Sequence, residues 1–323
     1  MKTLTYHEGE LLVSESDEPV PGDGQTLIDV IATGICGTDL GAFRHGRPLP
    51  RAGVIMGHEI LGVVADTGQR VAVNPIVGCG ACVACASGSS QRCATRQVIG
   101  FHLDGGFARR VVVPTANIVR VPDGVPDRRA LFSEPLATAL HAWRLGNAAT
   151  GARIAVIGAG AIGLSLILAA RADGFRVEEC VELDAERAPL AVEAGARAAG
   201  PQLTADAYDI VFDCVGASAT RRLAVERLAP GGTCVFVGLA DAETTFDIAA
   251  LVAREKTLRG AFGYSQLDFR DAVRSPVEVP AHWVQQVGLR EGVGLTTGAE
   301  RPRPGVVKVM VSPSDAGGSP ALR

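Results

Sequence analysis

The segment Gly158-Ala-Gly160-Ala161-Ile162-Gly163 constrains this chain more than any other stretch of its sequence. It follows an apolar run, Ile154–Ile157, and opens a second one, Ile162–Ala172, whose spacing is helical. Strand, glycine turn and helix in that order form the first half of a dinucleotide-binding βαβ unit. The first glycine permits the tight turn and the second lets the backbone approach a pyrophosphate. The third lets the helix pack closely on the strand, with the phosphates at the helix N-terminus. The next apolar run ends in Glu182, nineteen residues beyond Gly163. A carboxylate there accepts bonds from the adenosine ribose hydroxyls and repels a 2′-phosphate, so the predicted cofactor is NAD rather than NADP. Asp184, two residues on, is an alternative acid, and Arg187 is a cation that would soften the reception of a phosphate.

Around this motif apolar runs alternate in kind: Ile154–Ile157, Ile162–Ala172, Val177–Glu182, Ala185–Ala194, Ile210–Cys214, Ala219–Leu228 and Thr233–Val237. Alternation at that pitch predicts a parallel sheet with helices on both faces. Up to about residue 125 the pattern differs, with short β-type runs between glycines and prolines: Gln25–Ile35, Ile60–Ala65, Arg70–Val73, Ala108–Val113 and Asn117–Val121. Helical spacing begins in Ala130–Gly146, and after about Ser275 only Val306–Val311 reads as a strand. The fold class is therefore α/β, a β-rich first part followed by a doubly wound parallel sheet. Ile154 to Ala170 is uncharged and nearly long enough for a membrane span, but its three glycines divide it into strand and helix.

Composition narrows the partners. The chain has 323 residues, 47% of them hydrophobic and 20% charged, which accommodates two compact domains and excludes collagen-like, coiled-coil and disordered chains. A net charge of −4 provides no basic field for nucleic acid or an anionic membrane, so a small-molecule partner is expected. The N-terminus lacks the apolar stretch of a secretory signal, and a reducing cytoplasm is the expected location.

Eight cysteines are too few for a disulfide scaffold, yet four crowd into Cys79-x2-Cys82-x2-Cys85-x7-Cys93. Four thiolates at short spacing suit a closed tetrahedral Zn²⁺ that holds a lobe without a core of its own. An iron–sulfur cluster and disulfides are the alternatives. Cys180, Cys214 and Cys234 fall in the predicted sheet strands as small buried hydrophobes. The remaining one, Cys36, precedes Gly57-His58-Glu59 by some twenty residues and Glu134-Pro135 by about a hundred. A thiolate, an imidazole and carboxylates make the mixed ligand set of a catalytic zinc. Spacing this long also admits a core thiol, a core histidine and solvated acids.

Taken in order, Cys36-Gly-Thr38-Asp39, Gly57-His58-Glu59, the four-cysteine lobe, Asp104-Gly-Gly-Phe107, Glu134-Pro135 and the Gly158 motif resemble the zinc-dependent medium-chain alcohol/polyol dehydrogenases over roughly residues 1–275. Within that superfamily the chain looks most like the sorbitol and threonine dehydrogenase branch, and His45-Gly46-Arg47 is similar to sorbitol dehydrogenases. The resemblance implies a GroES-like catalytic domain at 1–145 with a return segment at 276–311, a Rossmann domain at 146–275, and a homodimer or homotetramer. The tail 312–323 is predicted to be disordered. It further implies one catalytic and one structural zinc. Cys36 and His58 would be ligands, Glu59 and Glu134 ligands that exchange with water, Asp39 the carboxylate orienting His58, and Thr38 the group that takes the alcohol proton.

The chain departs from the family pattern in three places. Gly41 stands where a relay histidine is usual, leaving water or His45 to carry the proton onward. The segment between Glu59 and Cys79 is short, and the match thins beyond Phe269. The expected reaction is hydride transfer to NAD from a secondary alcohol of a polyol, cyclitol or related hydroxylated substrate. Threonine or another amino alcohol, including an aminocyclitol, is the alternative. A zinc-free reductase acting on an enone or quinone would leave the metal-ligating residues without purpose. A nucleotide-sensing zinc protein without activity is favoured only by Gly41.

Overall fold

The glycine turn sits at the centre of a six-stranded parallel sheet. Ile154–Ile157 is buried along its whole length because parallel strands flank both its edges, Val177–Val181 on one side and Tyr208–Asp213 on the other. From there the chain winds outward in both directions, reaching Ala198–Gly200 at one edge and Leu228–Phe236 and then Thr257–Gly260 at the other. Strand order 3-2-1-4-5-6 places the binding crevice at the C-terminal end of the first strand, where the glycines lie. The helix Ala161–Ala172 buries Leu164, Leu166, Ile167 and Leu168, nearly its whole circumference. Among the described residues no helix is long and apolar enough to cross a membrane.

A computed structural model describes residues 1–44 and 49–313 of the chain. Two compact units emerge, Met1–Glu134 together with Ser265 onward, and Pro135–Tyr264. Both junctions lie closer to the N-terminus than the 145/146 and 275/276 boundaries read from the sequence, and side-chain contacts give the reason. Trp143 of the helix Ser133–Gly146 packs on Phe175 and Phe212 and donates to Asp173 at 2.7 Å, which ties that helix to the parallel sheet. The helix Gln266–Arg274 belongs instead to the first unit. Buried Arg129 donates to the carbonyls of Ala272, Ser275 and Val277, and burial brings its guanidinium down to about 10.

In the first unit the organising strand is Gln25–Gly34. It pairs antiparallel with Glu59–Val64, Arg110–Pro114 and Lys308–Ser312. Ile28, Val30, Ile60, Val71, Val73, Val111 and Val113 form its core. The sequence reading omitted a hairpin, Lys2–His7 with Glu10–Glu15, whose alternation is blurred because Leu12 and Val13 face outward. It also omitted Val284–Gly288 and the helix Leu289–Thr297, which follow the fully buried Trp283.

Two local expectations change. Ser312, expected to open the tail, ends the strand Lys308–Ser312, and its residue is buried. Residues 314–323 lie outside the described residues, as does His45. Cys180 and Cys234 lie in strands as expected, whereas Cys214 lies one residue past the strand Tyr208–Asp213. Burial pushes all three thiols up, Cys180 to about 12, which disfavours the nucleophilic thiolate.

The turn glycines separate two kinds of requirement. A Cβ on Gly163 would stand 1.9 Å from the Gly158 carbonyl oxygen, whereas one on Gly160 would meet nothing within 4 Å. Gly163→Ala is expected to lower stability by about 2 kcal/mol or more, and Gly160→Ala to melt with the native protein. Thermal denaturation of the two variants side by side checks this.

Candidate metal centre and dinucleotide site

Cys36, His58 and Glu59 come together from two adjacent strands. Cys36 lies just past the end of Gln25–Gly34, and Glu59 opens the strand paired with it, opposite Gly34. One ligand atom from each of the three residues lies within 4.8 Å of the other two. His58 is held from behind by the segment Asp104–Phe107. The Gly106 and Phe107 N–H groups donate to the Gly57 and Met56 carbonyls at 2.8 and 2.9 Å. The Thr33 hydroxyl donates to Gly106 O at 2.7 Å, and the ring of Phe101 covers the imidazole at 4.9 Å.

Asp39 is fully buried and serves both sides of this centre. Its Oδ2 accepts the Cys36 N–H at 2.8 Å, fixing the start of the helix Gly37–Arg44. Its Oδ1 lies 3.4 Å from His58 Nδ1, an ionic contact in which neither atom completes a hydrogen bond. Burial opposes charge on the imidazole, yet Asp39 and the Cys36 sulfur hold it well above the ordinary histidine value. Thr38, on the first turn of that helix, is exposed, and a Cβ on Gly41 would meet nothing within 4 Å. Glu134 begins the helix Ser133–Gly146 and is not within the 4.8 Å group.

One residue of this centre escaped the sequence reading. Lys308 is buried, and its Nζ donates to Glu59 Oε1 at 2.6 Å and to Ile35 O at 3.2 Å. Desolvation opposes its charge, but Glu59 and Cys36 hold the ammonium above its ordinary value. The signal available in the sequence was a lone cation inside the otherwise apolar run Val306–Val311. Glu59 Oε2, Asp39 Oδ1 and His58 Nδ1 are buried without a hydrogen-bond partner. Asp39 Oδ1 and His58 Nδ1 face each other, whereas Glu59 Oε2 faces no partner; an unpaired carboxylate oxygen beside a thiol and an imidazole is what a site for a divalent cation requires, so the residues fit a metal ion.

The second cluster fits one as well. One sulfur each from Cys79, Cys82, Cys85 and Cys93 lies within 4.8 Å of all the others. Tetrahedral zinc with bonds of about 2.3 Å needs sulfurs about 3.8 Å apart. The Cys79 N–H donates to Cys93 Sγ and lowers that thiol to about 6. The helix Val83–Ala86 in this lobe buries none of its residues, and Val83 is 87% exposed. Hydrophobic burial of that helix therefore does not hold it in place. Its loop is further tied down where the Gln266 N–H donates to Gly88 O at 3.0 Å.

At the glycine turn Gly158 has φ +98°, a conformation side chains resist. Ala161 and Ile162 form the first turn of the following helix, whose N-terminus begins at Gly160. Glu182 accepts the Ala159 N–H at 2.8 Å through Oε2 and the Asp184 N–H at 3.0 Å through Oε1. Its carboxylate is thus fixed beside the turn. The strand stops at Val181, so Asp184 does not continue the alternation. It accepts the Glu186 N–H at 2.9 Å and sits 3.9 Å from Arg187.

A mixed thiolate–imidazole–carboxylate centre, a four-sulfur lobe and a doubly wound sheet with this turn define a metal-dependent dehydrogenase. Known proteins agree. Residues 22–123 match the alcohol dehydrogenase GroES-like domain, and residues 152–276 match the zinc-binding dehydrogenase family. L-galactonate-5-dehydrogenase of Escherichia coli K12 is 35% identical over 83% of this chain and 85% of its own length. Sorbitol dehydrogenase of Halalkalibacterium halodurans is 30% identical over 84% and 87%. The crystal structure of L-idonate 5-dehydrogenase from Escherichia coli K-12 superposes with a TM-score of 0.87 at 26% identity, covering 96% of this chain and 97% of that one. The chain belongs to the zinc-dependent medium-chain alcohol/polyol dehydrogenases.

The two clusters should respond differently to mutation. Cys93→Ser is expected to lower the melting temperature of the zinc-loaded protein and expose the lobe to proteolysis between residues 79 and 93. Cys36→Ser is expected to leave both near the native values. Calorimetry and limited proteolysis of the two variants check this.

Proposed function

We propose that this chain oxidises a secondary alcohol of a polyhydroxylated small molecule with NAD, using one catalytic and one structural zinc. The observation that carries the reading is the grouping of half-buried Cys36 with buried His58 and Glu59, whose Oε2 has no hydrogen-bond partner. The relatives' names support the substrate class, since galactonate, idonate and sorbitol each present a secondary carbinol in a hydroxylated chain. Glu182, its carboxyl group fixed beside the turn, supports NAD over NADP.

When bound, zinc supplies Lewis acidity toward the alcohol and the nicotinamide supplies the hydride acceptor. Cys36 and His58 would hold the ion, and Glu59 and Glu134 would be ligands that exchange with water. Asp39 fixes the orientation of the imidazole from 3.4 Å. Thr38 Oγ1, exposed at the start of its helix, takes the alcohol proton. With no side chain at Gly41, that proton passes on to solvent or to His45. Cys79, Cys82, Cys85 and Cys93 hold the structural ion, and a cytoplasmic setting keeps them reduced. Self-association into a homodimer or homotetramer belongs to the same reading. Thr257–Gly260 is the edge strand of its sheet, and Phe262 just beyond is 49% exposed.

The test is zinc-loaded protein assayed by NADH absorbance against aldonic acids, polyols, cyclitols and threonine. Turnover is expected with a polyol, cyclitol or aldonate. NAD is expected to exceed NADP in kcat/KM by about tenfold or more, a charge repulsion of about 1.4 kcal/mol. Cys36→Ser should abolish turnover while preserving NAD binding. Absence of NADH with every alcohol, or threonine as the sole substrate, would contradict the reading.

A further inference from the structure

Glu59 sits in a socket made by two other strands. Across from it, a Cβ on Gly34 would stand 2.0 Å from Glu59 Oε2, so the carboxylate fills the space a side chain at position 34 would occupy. On the far side of Gln25–Gly34, the strand Lys308–Ser312 delivers the Lys308 ammonium to Glu59 Oε1 at 2.6 Å. Ammonium and carboxylate are 3% and 0% exposed and come from positions 249 residues apart. One carboxylate oxygen is thus engaged by Lys308, while Oε2 has no hydrogen-bond partner. The chain uses arginine for nearly all its cations. Of its 31 basic residues only Lys2, Lys256 and Lys308 are lysine. A compact ammonium with freely turning donors suits a closed socket.

We propose that Lys308 is a positioning residue that holds Glu59 by one oxygen in the Gly34 socket and thereby limits how far its carboxylate engages the metal. The inference rests on the metal reading of Cys36, His58 and Glu59. A carboxylate bound to two cations at once divides its electron density between them. Removing the ammonium therefore hands the whole carboxylate to the metal and takes away a neighbouring positive charge. Both effects tighten the ion and harden the ligand field. A purely structural role for Lys308 predicts the reverse, a loosened site and faster metal loss.

The experiment uses full-length protein loaded with cobalt(II), comparing native protein, Lys308→Met, Glu59→Gln and the double variant. The spectrum of Cys36→Ser is subtracted to remove the bands of the four-cysteine lobe. Lys308→Met is expected to shift the visible ligand-field bands and slow cobalt release to a chelator by about tenfold. The band shift is expected to vanish when Glu59→Gln is also present, because no carboxylate remains to move. Native bands in Lys308→Met, faster release, or a shift that persists in the double variant would each overturn the proposal. If the native protein itself shows no cobalt–thiolate band dependent on Cys36, the metal reading fails and the proposal falls with it. That outcome is distinct from a native band that Lys308→Met leaves unmoved.

Discussion

Burying Asp39, His58, Glu59 and Lys308 in one place is costly unless each charge faces an opposite one. Pairing of the strand Gln25–Gly34 with Glu59–Val64 on one edge and Lys308–Ser312 on the other arranges that compensation. Glu59 meets the Lys308 ammonium, and Asp39 faces the His58 imidazole. A surplus of acceptor atoms is nevertheless left over, and the thiol of Cys36 stands among them. That imbalance is what turns a buried ionic cluster into a place for a divalent cation. The first unit is organised to produce it, from the Asp104–Phe107 segment behind His58 to the strand Lys308–Ser312 on the far side of Gln25–Gly34.

Much of the fold was legible because local signals were strong. Ile154–Ile157 is an uninterrupted apolar run that only a strand flanked on both edges can bury, and the structure gives it those bounds. The glycine turn and the helix after it were equally plain, since Gly163 admits no side chain against the Gly158 carbonyl. Legibility failed where burial is one-sided or borrowed. The Lys2–His7 hairpin hides its alternation behind outward-facing Leu12 and Val13, and Val284–Gly288 owes its place to pairing with Lys308–Ser312. The helix Ser133–Gly146 reads as a continuation of the first half, yet Trp143 ties it to Phe175 and Phe212 of the second unit.

The site shows the same division. Cys36, His58 and Glu59 were visible as residue types suited to a metal, but only strand pairing brings them within reach of one another. The four-cysteine lobe was legible from spacing alone because a short loop leaves its sulfurs few places to go. Lys308 was not legible. Its partner is remote in sequence, and an isolated lysine in an apolar strand gives no hint of which carboxylate it meets. Asp184 stood as an alternative to Glu182 if the strand continued that far. The strand ends at Val181, and Glu182 is the acid the turn N–H of Ala159 holds in place.

Anomalous diffraction at the zinc absorption edge from crystals of the zinc-loaded protein tests the central claim most directly. Two peaks per chain are predicted, one among Cys79, Cys82, Cys85 and Cys93 and one bounded by Cys36 Sγ and the His58 ring, with Glu59 still in contact with Lys308. A single peak, confined to the four-cysteine lobe, would contradict it.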